Sequence, residues 1–170
     1  LLFEGKFAEA QKRMQDRVMG ERIAPRSYQP LGDLYISQDG VDGYEDYCRE
    51  LTLETAVSTT RGQRGGVQFR RDVFATAIDR VIVCHVEADQ PGAISCRVSF
   101  ERLENFIGSE QASDTLMISG QAGQGDTHPG VRFAACVRVV AQGGDVRCED
   151  LQMVVSGADA MTVLVSVVTD

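Results

Sequence analysis

Two hydrophobic periods divide this chain. Over residues 3–19, FEGKFAEAQKRMQDRVM, the apolar positions Phe3, Phe7, Ala10, Met14 and Val18 recur at three- and four-residue steps, with charged and amide side chains between them. That repeat predicts an amphipathic helix, with Gly20 placed to stop it. After the linker ERIAPRSYQP the period falls to two. GDLYIS (32–37), YCRELTL (47–53) and AVSTT (56–60) are the first predicted strands, and RGQRGG supplies a glycine-rich reversal into VQFRRDVFA (67–75). DTLMISG (114–120), VRFAACVRVV (131–140), DVRC (145–148), LQMVV (151–155) and MTVLVSVV (161–168) follow, with AQGGD and SGADA as hairpin turns. About ten short strands, with turns about every eight to twelve residues, predict an all-β fold: an antiparallel sandwich or barrel preceded by one amphipathic helix.

The stretch DRVIVCHVEADQPGAISCRVSF (79–100) concentrates a histidine, two cysteines and several carboxylates. Alternation separates them. Ile82, Cys84, Val86 and Ala88 share one face of a strand, with Val81, Val83, His85 and Glu87 on the other. After a turn at DQPG, Ile94, Cys96, Val98 and Phe100 form a second apolar row. A thiol in such a row behaves as a small hydrophobe whose pKa rises, and His85 next to Cys84 points to the opposite face, so no Cys–His pair forms. The stretch reads as a hairpin that is wall rather than site.

Composition narrows the classes further. The chain has 170 residues, a net charge of −8 and a pI of about 4.8, with 43% hydrophobic residues. That suits a single domain with a substantial core, and the absence of a basic stripe argues against a nucleic-acid binder. No apolar run approaches the roughly 20 residues of a membrane span, and no signal-peptide pattern is visible. Cys48, Cys84, Cys96, Cys136 and Cys148 are an odd set without a CxxC pair, which argues against zinc and against a disulfide framework, so reduced thiols are expected. The chain opens LLFEGKF without methionine and stops within MTVLVSVVTD, as expected of a fragment of something longer.

Candidate chemistry is sparse. Asp126, Thr127 and His128 lie in QAGQGDTHPG, a glycine-rich connection that reads either as a ligand-contact loop or as a solvated tip. GQAGQG and RGQRGG lack the strand-to-helix context of a phosphate loop. Arg70-Arg71-Asp72 reads as an anion site or, more simply, as charges on a solvated strand face. Glu45-Asp46, Glu50, Glu54 and Glu149-Asp150 occupy turn and strand-exterior positions, whereas glycosidase acid–base work needs a carboxyl with a raised pKa in a cleft. From residues alone the chain is an all-β domain with no visible catalytic, cofactor or metal residue.

Several stretches together resemble a known family. SYQPLGDLYI (27–36), DYCRELTLETAVSTT (46–60), FRRDVFATAIDRVIV (69–83), GVRFAACVRVV (130–140) and GADAMTVLVSVVTD (157–170) are similar, in collinear order, to the N-terminal β-domain of glycoside hydrolase family 95. This domain of the α-L-fucosidases is related to the N-terminal region of family 65. The helix LLFEGKFAEAQKRM before the Y-Q-P-L-G-D segment resembles the one those enzymes carry. The resemblance implies a β-supersandwich, residues 1–170 forming one N-terminal domain, ahead of a helical catalytic toroid that hydrolyses α-L-fucosyl linkages with inversion. The family's acid glutamate and water-positioning residues belong to the toroid, so no catalytic residue carries over. The family's setting is a secreted or periplasmic bacterial enzyme.

Departures are local: Cys48 stands where the family has a basic residue, RGQRGG differs from the usual turn, and the early Trp-bearing strands are missing. A fragment lacking those strands is expected to self-associate. The implied partners are the chain's own downstream catalytic domain and, for the parent enzyme, a fucosylated oligosaccharide. A stand-alone carbohydrate-binding sandwich and a purely structural interaction module are the other classes; four Tyr and no Trp weigh mildly against the first of these. Several hundred further residues of helical pattern after Asp170 would separate the fucosidase reading from both.

Overall fold

The computed structural model describes residues 1–20, 28–38, 43–102, 104–124 and 128–170. Among them are one α-helix, α1 (Phe7–Arg17), and the strands β1 (Asp33–Ser37), β2 (Glu45–Thr52), β3 (Val57–Arg64), β4 (Val67–Thr76), β5 (Val81–Ala88) and β6 (Ile94–Glu101). β7 (Phe106–Gln111), β8 (Thr115–Gln124), β9 (His128–Gln142), β10 (Asp145–Glu149), β11 (Gln152–Ala158) and β12 (Ala160–Thr169) complete the set. The strands form two antiparallel sheets, one ordered β1-β6-β11-β10 and the other β2-β3-β4-β5-β12-β9-β8-β7. The two pack as a sandwich, as the alternation predicts.

The core lies between the sheets. β6 contributes Ile94, Cys96 and Val98, and β11 contributes Met153 and Val155. Leu116 and Ile118 of β8, Val137 and Val139 of β9, and Met161, Val163 and Val165 of β12 oppose them. Each such side chain contributes about 1.5–3 kcal/mol by leaving water, which outweighs any strand propensity of about 1 kcal/mol. Packing, rather than local preference, holds the sheets in register.

Three expectations need correction. The first concerns the helix of residues 3–19. Gly5, with φ 71°, ends a short 3-10 turn at Leu2–Glu4, and α1 then runs only from Phe7 to Arg17, short of Gly20. Its apolar stripe is not buried: Phe7, Met14 and Val18 are all exposed.

The second concerns connectivity. β5 and β6 do not form a hairpin, because β5 pairs with β4 and β12 while β6 pairs with β1 and β11. DQPG therefore carries the chain from one sheet to the other, as do AQGGD between β9 and β10 and SGADA between β11 and β12. Among these last strands the hairpin is β10–β11, closed by Asp150 and Leu151 with φ 50° and 61°. Alternation reports which face of a strand is apolar but not which sheet the strand joins, so corners and hairpins look alike in the sequence.

The third concerns edges. RGQRGG is mostly strand: β3 runs to Arg64, and only Gly65 and Gly66, with φ 56° and 79°, make the reversal. β7 has no alternating signal. It is an exposed edge strand pairing with β8 through a register shift between Phe106 and Gly108.

Candidate functional site

The candidate residues scatter across the sandwich. His85 sits on the outer face of the eight-stranded sheet, its Nδ1 2.9 Å from Thr162 Oγ1 on the paired strand. His128 opens β9, where its backbone pairs with Gln124, while Asp126 and Thr127 lie outside the described residues. Glu45, Asp46, Glu50, Glu54, Glu149 and Asp150 are all exposed, with Glu50 3.9 Å from Arg61 and Glu149 2.6 Å from Arg147. Among the described residues, no group of His, Cys, Asp and Glu has the geometry of a metal site.

All five cysteines are free thiols. Cys84 and Cys96 face each other across the core from opposite sheets. Burial, and then the neighbouring Cys84, pushes the Cys96 thiol up to about 11, and its Sγ donates to Met161 Sδ at 3.4 Å. Burial likewise raises Cys84, partly offset by the Arg71 guanidinium. These thiols are inert hydrophobes.

The outer face of the eight-stranded sheet carries apolar stretches among polar ones, with Arg138 paired next to Leu164 and Thr162 next to His85. Pairing aligns Phe74 with Val83 and Val83 with Leu164, and the next row runs Val81, Ser166, Cys136 and Met117. Val140 is 44% exposed and Val168 64%. A polar ladder borders these rows on the side of β3–β5. Thr59 donates to Asp72 at 2.7 Å, and Arg70 is held by Asp72 at 2.8 Å and lies 3.9 Å from Glu87. The Arg70-Arg71-Asp72 triplet is thus divided: Arg70 and Asp72 neutralise each other on this face, while Arg71 points to the other.

Arg71 enters a groove where the inner face of the eight-stranded sheet extends past the edge strand β1. Ile36, Gln38, Tyr44, Tyr47, Thr60, Gly62, Phe69 and Arg71 line it. The Tyr44 ring lies against Gly62, where a Cβ would come 3.0 Å from Cδ1, and meets Phe69 edge-on with centroids 6.2 Å apart. Its hydroxyl donates to Gln38 Oε1 at 2.9 Å, and Arg64 Nη1 donates to the same oxygen at 2.9 Å. The Tyr47 ring stands 6.5 Å away, tilted by 52°. Tyrosines three residues apart in a strand belong on opposite faces. The register shift between Glu45 and Cys48, with Asp46 at φ 51°, brings both rings to the groove. Sequence reading missed this site because the bulge leaves no periodic signature.

The Y-Q-P-L-G-D segment also acquires a physical role. Gln29 Oε1 accepts from Arg102 Nη2 at 3.0 Å and Asn105 Nδ2 at 3.1 Å, and Gln29 Nε2 donates to the Gly123 carbonyl at 3.1 Å. Arg102 also donates to the Pro30 and Leu31 carbonyls and lies over the Phe133 ring at 4.4 Å. The chain is pinned there as it enters β1.

Residues 1–170 match the family described as glycosyl hydrolase family 65, N-terminal domain. The chain is 30% identical over 141 residues to alpha-L-fucosidase 2 of Arabidopsis thaliana, an alignment covering 70% of this chain and 17% of that protein. A solved structure provisionally named a kojibiose phosphorylase, from the human microbiome, superposes with a TM-score of 0.48 at 11% identity. That superposition covers 81% of this chain and 22% of the other.

Proposed function

Because this chain belongs to the glycosyl hydrolase family 65 N-terminal domain family, we propose that it is the non-catalytic N-terminal domain of an inverting α-L-fucosidase acting on fucosylated glycans. It packs against a helical catalytic domain through the outer face of its eight-stranded sheet. The fucosidase assignment is supported by the Arabidopsis relative, of which this chain spans 17%. The packing is supported by one observation: Phe74, Val83 and Leu164 form an apolar row on the face that the second sheet does not cover. Strands β5 and β12 place apolar side chains on the outer face as well as the inner one, and burying those would release their surface from water. The runs VIVCHV and MTVLVSVV carry the same double signature.

An inverting glycosidase sets a protonated acid against a base-activated water, the two carboxyls roughly 6.5–9.5 Å apart. Glu45, Asp46, Glu50, Glu54, Glu149 and Asp150 are exposed rather than gathered in a cleft that could hold such a pair. The test compares fucose release from a 2′-fucosylated oligosaccharide by residues 1–170 and by the parent enzyme. Turnover is expected only from the parent. Turnover by this chain, abolished on mutating one of its carboxylates, overturns the non-catalytic reading. For the packing, Val140→Lys with Val168→Lys in the parent is expected to lower its unfolding temperature and increase hydrogen exchange in β5 and β12. Unchanged exchange there rejects this face as the interface.

A further inference from the structure

We propose that the groove lined by Tyr44, Tyr47, Thr60 and Arg71 is a saccharide-binding site that takes one pyranose ring against the tyrosines. Three features select that chemistry. The first is a fixed apolar wall. Tyr44 is held by the edge of Phe69, by Gly62 beneath it and by its hydrogen bond to Gln38, with the Arg64 guanidinium 5.9 Å from its ring centroid, so it loses little freedom when a ligand packs beside it. Tyr47 adds a second surface, tilted by 52° to the first. A pyranose has one C–H-lined face that packs on an aromatic ring, with hydroxyls around its rim.

The second feature is Arg71. Its paired neighbours across the strands are Thr60 and Val86, and its guanidinium, which acts on the Cys84 thiol through its charge, makes no hydrogen bond or ion pair with the described residues. A guanidinium offers five N–H donors. An apolar peptide or lipid tail laid here would strip water from Arg71 without replacing its hydrogen bonds, which disfavours it. A ligand dense in oxygen acceptors meets that requirement.

The third feature is the bias of the remaining polar lining. Gln38 Oε1 already accepts from both Tyr44 and Arg64, so its free offer to a ligand is the NH₂ group, another donor. Thr60 supplies a hydroxyl that both donates and accepts. An apolar wall faced by donors is complementary to a sugar. The choice of fucosylated probe rests on the proposed function; the class of ligand rests on the groove alone.

The test is a heteronuclear NMR titration of residues 1–170 with a 2′-fucosylated oligosaccharide and, separately, with a galacturonate dimer. Both sugars share the pyranose face, and the dimer adds a carboxylate. Expected are shifts confined to the amides of Tyr44, Thr60, Gly62 and Arg71. Binding should weaken about tenfold in Tyr47→Ala and in Arg71→Met, while both variants keep the wild-type unfolding temperature. Preference for the galacturonate dimer, lost in Arg71→Met, would assign the guanidinium to a carboxylate and support an acidic saccharide. Preference for the neutral sugar would assign it to hydroxyls. Absence of shifts with either sugar, or shifts indifferent to Tyr47→Ala, overturns the proposal. Protection of these amides from exchange in the sugar-free parent enzyme also overturns it, because another part of the protein then fills the groove. None of these outcomes alters fucose release by the parent, so the two readings fail separately.

Discussion

Asp159 Oδ1 accepts a hydrogen bond from the Gly92 backbone N–H at 2.7 Å, joining two of the corners at which the chain changes sheets. The Asp159 backbone N–H donates to the Gln142 carbonyl at 2.8 Å, which brings in another, after β9. One residue thus gathers the turns after β5, β9 and β11, and holds the two sheets together at that end of the sandwich.

Asp159→Ala is expected to destabilise the domain by about 1–2 kcal/mol, the range for a charge-assisted hydrogen bond partly open to solvent. Asp159→Asn retains an acceptor and should recover part of it. Gly144→Ala should cost more than either. Gly144 has φ 66°, and a Cβ there would lie 2.3 Å from the Ser156 carbonyl oxygen, so both backbone strain and a clash arise. Denaturant midpoints of the three variants check the order.

Thiol labelling of the native protein should modify Cys48 first and leave Cys84 and Cys96 unmodified until unfolding, when all five react. The same burial predicts weakness in alkali. The folded pKa of Cys96 is about 11 against an ordinary 9.0, so the unfolded chain gives up this proton first. Stability is therefore complete below about pH 9 and falls as pH rises towards about 11, by up to about 1.4 kcal/mol per pH unit. Cys96→Ala should flatten that limb of a pH–stability curve while lowering its plateau through the cavity left behind.

Gln29→Ala removes three hydrogen bonds at once, to Arg102, Asn105 and Gly123. At about 0.5–1.5 kcal/mol each, the loss should be about 2–3 kcal/mol. Because Gln29 fixes the approach to β1, hydrogen exchange should increase first in β1 and the end of β6. Uniform acceleration across both sheets would show that the clamp is not local.

The isolated domain is expected to self-associate through the outer face of the eight-stranded sheet. Val140→Lys together with Val168→Lys, at positions 44% and 64% exposed, adds charge at little folding cost and should shift sedimentation towards monomer. Association that persists in this variant would point to an exposed edge, β2 or β7, as the route.

Much of this molecule is present in its alternation alone. Ile94, Cys96 and Val98 against Ser95, Arg97 and Ser99 already state which side chains are buried, because a strand repeats every two residues and water rejects one of its faces. The all-β class, the buried thiols and the amphipathic character of residues 7–17 are local properties, and local pattern determines them. The partner of each strand is not local. DQPG is a corner rather than a hairpin because β6 finds β1 and β11, residues far from it along the chain. The tyrosine groove is likewise a product of tertiary structure. A bulge at Asp46 turns Tyr44 and Tyr47 to one side, and Arg71, next in sequence to an Arg70 that is neutralised on the outer face, projects to the inner face beyond the edge of the smaller sheet. Alternation decides sides; only packing decides what stands opposite.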